Sequence, residues 1–195
     1  MYRQFDLREI GQTRWKNGGG LTQEIVSWPL HSGVHDFQWR VSVASITASG
    51  PFSTFPDVDR IILLLGGDGI RLRAPEQALD QSLDQLYRPL HFAGDWRTEC
   101  ELLGSASRDF NVMTRRDSVA ADVQILRERT TAPASDSGLV FAASGTWILR
   151  THSDIRLQPE TGICWAGEPL QWTASPAEDT AAVLIAVRIF GRTQQ

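Results

Sequence analysis

"GPFSTFPDVDRIILLLGGDG", residues 50–69, is the stretch on which the fold turns. Its first half is turn chemistry with two aromatic anchors, Phe52 and Phe55. Extended to Arg73, "RIILLLGGDGIRLR" reads as strand, turn, strand, because Gly66-Gly67-Asp68-Gly69 permits the positive φ angles of a tight hairpin. Upstream, "FQWRVSVASI" (Phe37–Ile46) alternates, with Phe37, Trp39, Val41 and Val43 on one face and Gln38, Arg40, Ser42 and Ala44 on the other. Downstream, "GLVFAA", "TWILRT", "IRLQP", "GICWAG", "LQWTA" and "AAVLIAVRIF" repeat the style at spacings typical of a sandwich or barrel.

Residues 75–90, "PEQALDQSLDQLYRPL", fit two readings. Leu79, Leu83 and Leu86 have helical spacing, yet "SLDQLY" alternates like a strand, so helix and hairpin both stand. No helical pattern alternates with the strands, which disfavours a parallel α/β fold. "RTTAPASDSG" (Arg129–Gly138) reads as a polar loop, and a break between two β units is expected between Arg116 and Gly138. The expected division is residues 1–117 and 118–195.

Composition narrows the function classes. A charged fraction of 22% and a hydrophobic fraction of 42% are ordinary globular values, and the net charge is -4. Arg71/Arg73 and Arg115/Arg116 are the densest basic clusters, so neither nucleic acid nor an anionic membrane is the expected partner. The start, "MYRQFDLREIG", lacks the apolar core of a signal peptide, and "IILLL" and "AAVLIAV" fall far short of a membrane span. Cys100 and Cys164 have no C-x-x-C partner and are read as free thiols in a reducing compartment. The expected location is the cytoplasm.

"WKNGGGLTQEI" (Trp15–Ile25) contains three consecutive glycines but neither the Walker A nor the dinucleotide-binding spacing. Either these glycines allow a sharp turn, or they let the loop lie against a pocket where Lys16 and Asn17 donate to an anion. The histidines His31, His35, His91 and His152 show no metal-ligand spacing: Pro29 and Gly33 disfavour a helix that would align the first two. No G-x-S-x-G elbow is present. Among the carboxylates, Asp57, Asp59, Asp95 and Asp109 read as turn residues by default, whereas Glu24 sits in a predicted strand.

The order of polar turn, strand and Gly-rich turn in residues 50–69 resembles the first motif of cupin barrels, G-x5-H-x-H-x3-4-E-x6-G. With its last glycine at Gly67, Arg60 occupies the glutamate position. The histidine positions fall on Ser53 and Phe55, or on Thr54 and Pro56. Such a set does not hold a divalent cation, so no metal and no other cofactor is expected, and an arginine there prefers a carboxylate or phosphate.

Together, "WKNGGGLTQEI", "FQWRVSVASI", "GPFSTFPDVDRIILLLGGDG", "HFAGDW" and "DFNVMTRR" resemble the HutD/Ves family of bicupins over roughly residues 13–116. The resemblance implies an all-β bicupin of two joined, jelly-roll-like cupin barrels with little helix. It also implies an association with histidine utilisation, with formylglutamate a proposed ligand. On that footing the expected site for a small anionic metabolite comprises Lys16, Asn17, Arg40, Ser42, Arg60 and Asn111, in a sensor or regulator. The rival reading is a metal-free enzyme with Glu24 or His91 as acid or base, and a third is a protein-interaction module. By analogy with cupins, a homodimer is expected.

Overall fold

The computed structural model describes residues 2–33, 36–178 and 181–192. In chain order the strands are β1 (Tyr2–Asp6), β2 (Gln12–Arg14), β3 (Gly20–Trp28), β4 (Trp39–Ile46), β5 (Gly50–Pro51), β6 (Val58–Gly66), β7 (Ile70–Ala74), β8 (Leu79–Leu83) and β9 (Leu90–Ala93). There follow β10 (Glu99–Leu102), β11 (Ser107–Arg115), β12 (Val119–Leu126), β13 (Thr130–Ser144), β14 (Trp147–Arg150), β15 (Asp154–Leu157), β16 (Thr161–Pro176) and β17 (Val183–Gly191). The helices among the described residues are single 3-10 turns, Leu7–Glu9 and Pro75–Gln77. None is long and apolar enough to cross a membrane.

The chain divides into two compact units. One is Gly11–Val119; the other combines Met1–Ile10 with Ala120–Gln195. The break falls within the expected interval, but the first ten residues leave the unit to which the sequence reading assigned them. Tyr2–Asp6 pairs antiparallel with β16, Tyr2 opposite Trp165 and Asp6 opposite Thr161.

The Gly11–Val119 unit is a sandwich of a 6-stranded sheet, β2-β3-β4-β11-β6-β9, and a 4-stranded sheet, β5-β10-β7-β8. Ile46, Ile62, Leu64 and Phe92 from the larger sheet pack on Ile70, Leu72, Leu83 and Cys100 from the smaller. This is the jelly-roll-like cupin arrangement, although its strands do not close into one hydrogen-bonded barrel. The glycine turn after β6 differs from the hairpin expected of it. β6 pairs with β11 and β9, and β7 with β10 and β8, so the turn carries the chain from one sheet to the other. Its glycines are still required: Gly67 and Gly69 have φ of +91° and +94°, in the left-handed region.

The apolar run Ile61–Leu65 follows from burial on both faces of β6. Ile62 and Leu64 face the smaller sheet, while the alternate Ile61 and Leu63 are also buried. At residues 75–90 the hairpin reading wins. Pro75 opens a single 3-10 turn, Ala78 adopts a left-handed conformation, and β8 then pairs with β7 from Leu79 opposite Ala74 to Leu83 opposite Ile70. Leu79 and Leu83 are buried, but Leu86 is exposed, so the three leucines never share a face.

In the second unit a 7-stranded sheet runs β12-β17-β13-β16-β14-β15, with β1 also on β16. Residues 130–138, expected as loop, instead begin β13, and "GICWAG" and "LQWTA" are one strand, β16. Pro133 has no N–H for the ladder and lies where the β13–β16 register shifts, between Ala132 and Ser135. Turn-like composition here marks an irregular strand.

Candidate functional site

Residues directly opposite one another across an antiparallel pair share a face of the sheet. On β6, Arg60 stands opposite Met113 of β11, Ile62 opposite Asn111 and Leu64 opposite Asp109. β4 continues each row, with Arg40 beside Met113, Ser42 beside Asn111 and Ala44 beside Asp109. β3 adds Glu24 opposite Ser42 and Ser27 opposite Arg40. Since Ile62 and Leu64 belong to the core between the sheets, all these side chains point to the interior of the Gly11–Val119 unit. Alternation therefore brings Arg40, Ser42, Arg60 and Asn111 together from three strands.

Arg60 is only 6% exposed. Its guanidinium carbon lies 5.2, 5.8 and 4.9 Å from the ring centroids of Phe52, Phe55 and Phe92, so the cation sits among three π faces. Nε has no hydrogen-bond partner among the described residues. Burial pulls its pKa down to about 10, opposed by the negative charge of Asp109, and it stays protonated at neutral pH.

Asp109 is 1% exposed, and neither carboxyl oxygen has a partner among the described residues; nor does Oδ1 of Asn111. Burial pushes the Asp109 carboxyl up to about 7, with Arg60 opposing the shift. Buried polar atoms are nearly always paired, because an unsatisfied one costs about 1–3 kcal/mol. Four such atoms lie on side chains that share one interior face, which makes this face the candidate site. The Cys100 thiol, pushed up to about 12 chiefly by burial, is no nucleophile there.

The rim is more conventional. Arg40 Nε donates to Glu24 Oε2 at 2.6 Å, and Ser27 Oγ donates to Glu24 Oε1 at 3.0 Å. The Glu24 side chain is 41% exposed, so this pair contributes little to stability. It does neutralise Arg40, leaving Arg60 as the interior cation without a hydrogen-bonded counter-ion among the described residues.

Other expected residues lie elsewhere. Lys16 and Asn17 are exposed in the loop before β3. Asn17 closes that loop on itself: Oδ1 accepts from Gly19 N and Nδ2 donates to Pro51 O. The glycines also serve the loop's own geometry. Gly18 has φ +73°, and a Cβ at Gly20 would lie 2.6 Å from Ser45 O and 3.1 Å from the Trp15 ring. His91 stands opposite Ile61 and therefore faces away from Arg60, which removes it as acid or base for an interior ligand. Arg116 is engaged by Asp59 at 2.8 Å and Asp95 at 2.5 Å, tying surface segments together. Of the spaced pair His31 and His35, the second lies outside the described residues. Both cysteines are free thiols.

Asp109 was the residue least visible in the sequence, where an aspartate reads as a turn. The signal that identifies it is the alternation of "DFNVMTR", which puts Asp109, Asn111 and Met113 on one strand face.

A family model described as HutD matches residues 8–184. The chain belongs to the HutD family. Among its HutD-family relatives, Protein Ves of Citrobacter koseri is 40% identical over 162 residues, covering 83% of this chain and 81% of the relative. Protein Ves of Escherichia fergusonii is 38% identical over the same shares. A conserved protein of unknown function from Pseudomonas aeruginosa PAO1 superposes with a TM-score of 0.86 at 28% identity, over 99% of this chain and 100% of the other. HutD from Pseudomonas fluorescens SBW25 gives 0.81 at 24% identity over the same shares. A cupin 2 conserved barrel domain protein from Leptotrichia buccalis, at 9% identity, gives 0.60 over 96% of each chain, a likeness of fold alone.

Proposed function

We propose that this HutD-family protein binds a small anionic, amino-acid-derived metabolite inside its Gly11–Val119 unit and acts as a sensor or regulator. Arg60 holds the carboxylate, Asn111 and Ser42 orient the polar body, and the Glu24–Arg40 pair borders the exposed side. Lys16 and Asn17 make no direct contact in this scheme. The observation that carries it is Arg60 itself: a buried guanidinium among three phenylalanines, with Nε unpartnered. A carboxylate supplies two parallel acceptors in the geometry of that fork, and low polarity around it strengthens both hydrogen bonds. Histidine utilisation, implied by the family resemblance, supplies the compounds to test.

A thermal-shift panel of histidine, urocanate, formylglutamate and glutamate tests the proposal. A bound ligand at 100 times its Kd stabilises the folded chain by about 2.7 kcal/mol. Arg60→Met should remove that shift. No stabilisation by any carboxylate, or an equal shift in the variant, overturns the assignment.

An enzyme acting on the same compounds is the second reading, favoured by one observation: burial holds Asp109 near neutrality, where general acid–base groups work best. Asp109 then takes the role that the sequence reading gave to Glu24 or His91. Conversion of a panel compound, followed by mass change, separates this reading from binding alone.

A further inference from the structure

The unmet hydrogen-bonding capacity of the interior is polarised. Arg60 offers an unpartnered N–H donor, whereas Asp109 and Asn111 offer three unpartnered acceptor oxygens. The register separates the two ends. Arg60 is level with Met113, and Asp109 lies two inward positions further along β11, with Asn111 between them. At about 3.3 Å per residue the Met113 and Asp109 rows are about 13 Å apart, a gap that the long Arg60 side chain only partly spans. Its neighbours across β4 and β6, Ala44 and Leu64, bring no side-chain donor, and its own backbone N–H lies near the carboxyl. The charged and titratable groups that act on it are Arg60 on β6 and Cys100 on β10, while Arg40 on β4, held by Glu24 on β3, acts on Arg60.

We propose that Asp109 accepts a hydrogen bond from an N–H of the ligand whose carboxylate Arg60 holds, so that the site selects carboxylates carrying an N–H donor over those without one. This rests on the carboxylate reading above and adds a second recognition point to it. A ligand that offers only acceptors fills Arg60, yet leaves the buried oxygens unpaired and meets the charge of Asp109. An ammonium or amide N–H satisfies both ends. Discrimination by leaving buried polar groups unpaired is strong, because the wrong ligand cannot compensate them.

The pairing has a pH signature. Asp109 accepts best when ionised, and burial holds its pKa at about 7. Affinity for an N–H carboxylate should therefore rise from pH 6 to pH 8 by up to about tenfold, as the ionised fraction rises. A plain dicarboxylate should show the opposite slope, since ionised Asp109 repels it. L-Glutamate and glutarate share a skeleton and differ in the ammonium group, and neither titrates between these pH values.

Calorimetry with both compounds at pH 6 and pH 8, on wild type and Asp109→Asn, tests the proposal. Wild type should prefer glutamate, with opposite pH slopes for the two ligands. Asp109→Asn should lose the preference and flatten both slopes while still binding glutarate. Parallel slopes in wild type, or a preference that survives in Asp109→Asn, overturn the role of Asp109 but leave the carboxylate site standing. Should the variant fail to fold, the wild-type slopes alone decide. Failure of both compounds and of N-formyl-L-glutamate to bind overturns the carboxylate reading and this proposal together.

Discussion

In the Ala120–Gln195 unit the core is made of Val140, Trp147, Leu149, Ile163, Trp172 and Leu184, apolar without exception. At the same depth the Gly11–Val119 unit holds Arg60, Asp109, Asn111 and Ser42, and every buried polar or charged residue among the described residues belongs to that unit. Both are strand-rich and both bury long apolar runs. One interior is built for packing and the other gives up packing for polar groups that its own structure does not satisfy. Such groups persist where they serve a purpose other than stability.

The largest expected effect lies in the apolar unit. Trp147 is fully buried, so Trp147→Ala should lower stability by about 3–5 kcal/mol, read from urea unfolding. A loss below 1 kcal/mol would show that this interior is not tightly packed.

Asp109→Asn should move stability the other way. The folded chain keeps the Asp109 proton up to about pH 7, whereas an unfolded aspartate loses it near 4. The raised pKa therefore favours folding below about pH 4, and that contribution is lost as pH rises to about 7. At pH 8 the variant should be more stable than wild type by up to about 4 kcal/mol, with no gain at pH 4. A loss at pH 8 would mean that Asp109 has partners in solution.

Arg60→Met should change stability by less than about 1 kcal/mol, since replacing a buried charge by an apolar side chain of similar length is often neutral or stabilising. A loss of 3 kcal/mol or more would mark Arg60 as a structural ion and undo the contrast between the units. Glu24→Gln should have the smallest effect, below about 1 kcal/mol, because the pair with Arg40 is partly exposed. A larger loss would move the polar interior's boundary out to this pair.

The contrast also explains what could be read from the sequence. "FQWRVSVASI" alternates from Phe37 to Ala44, so the shared face of Arg40 and Ser42 was legible, and the likeness of residues 50–69 to a cupin motif pointed to Arg60; that Asn111 joins them depends on the pairing of β4 with β11. The partners of β6 and β7 were not legible. A glycine turn looks the same locally whether it joins two strands of one sheet or crosses between sheets, and only the distant strands β11 and β10 decide it. Asn17 illustrates a second limit, because its turn role depends on Pro51, far along the chain. Asp109 illustrates a third: a short acidic side chain suits a turn and a strand interior equally, and burial alone distinguishes them.

The central claim is that Arg60 anchors an anion, and calorimetry on Arg60→Lys tests it most directly. Lysine keeps the charge and removes the fork, so carboxylate binding should weaken by about 1.5–3 kcal/mol, roughly tenfold or more. Arg156→Lys, at an exposed position of β15 in the apolar unit, should leave binding unchanged. Equal affinity in wild type and a folded Arg60→Lys would contradict the claim and place any anion site elsewhere.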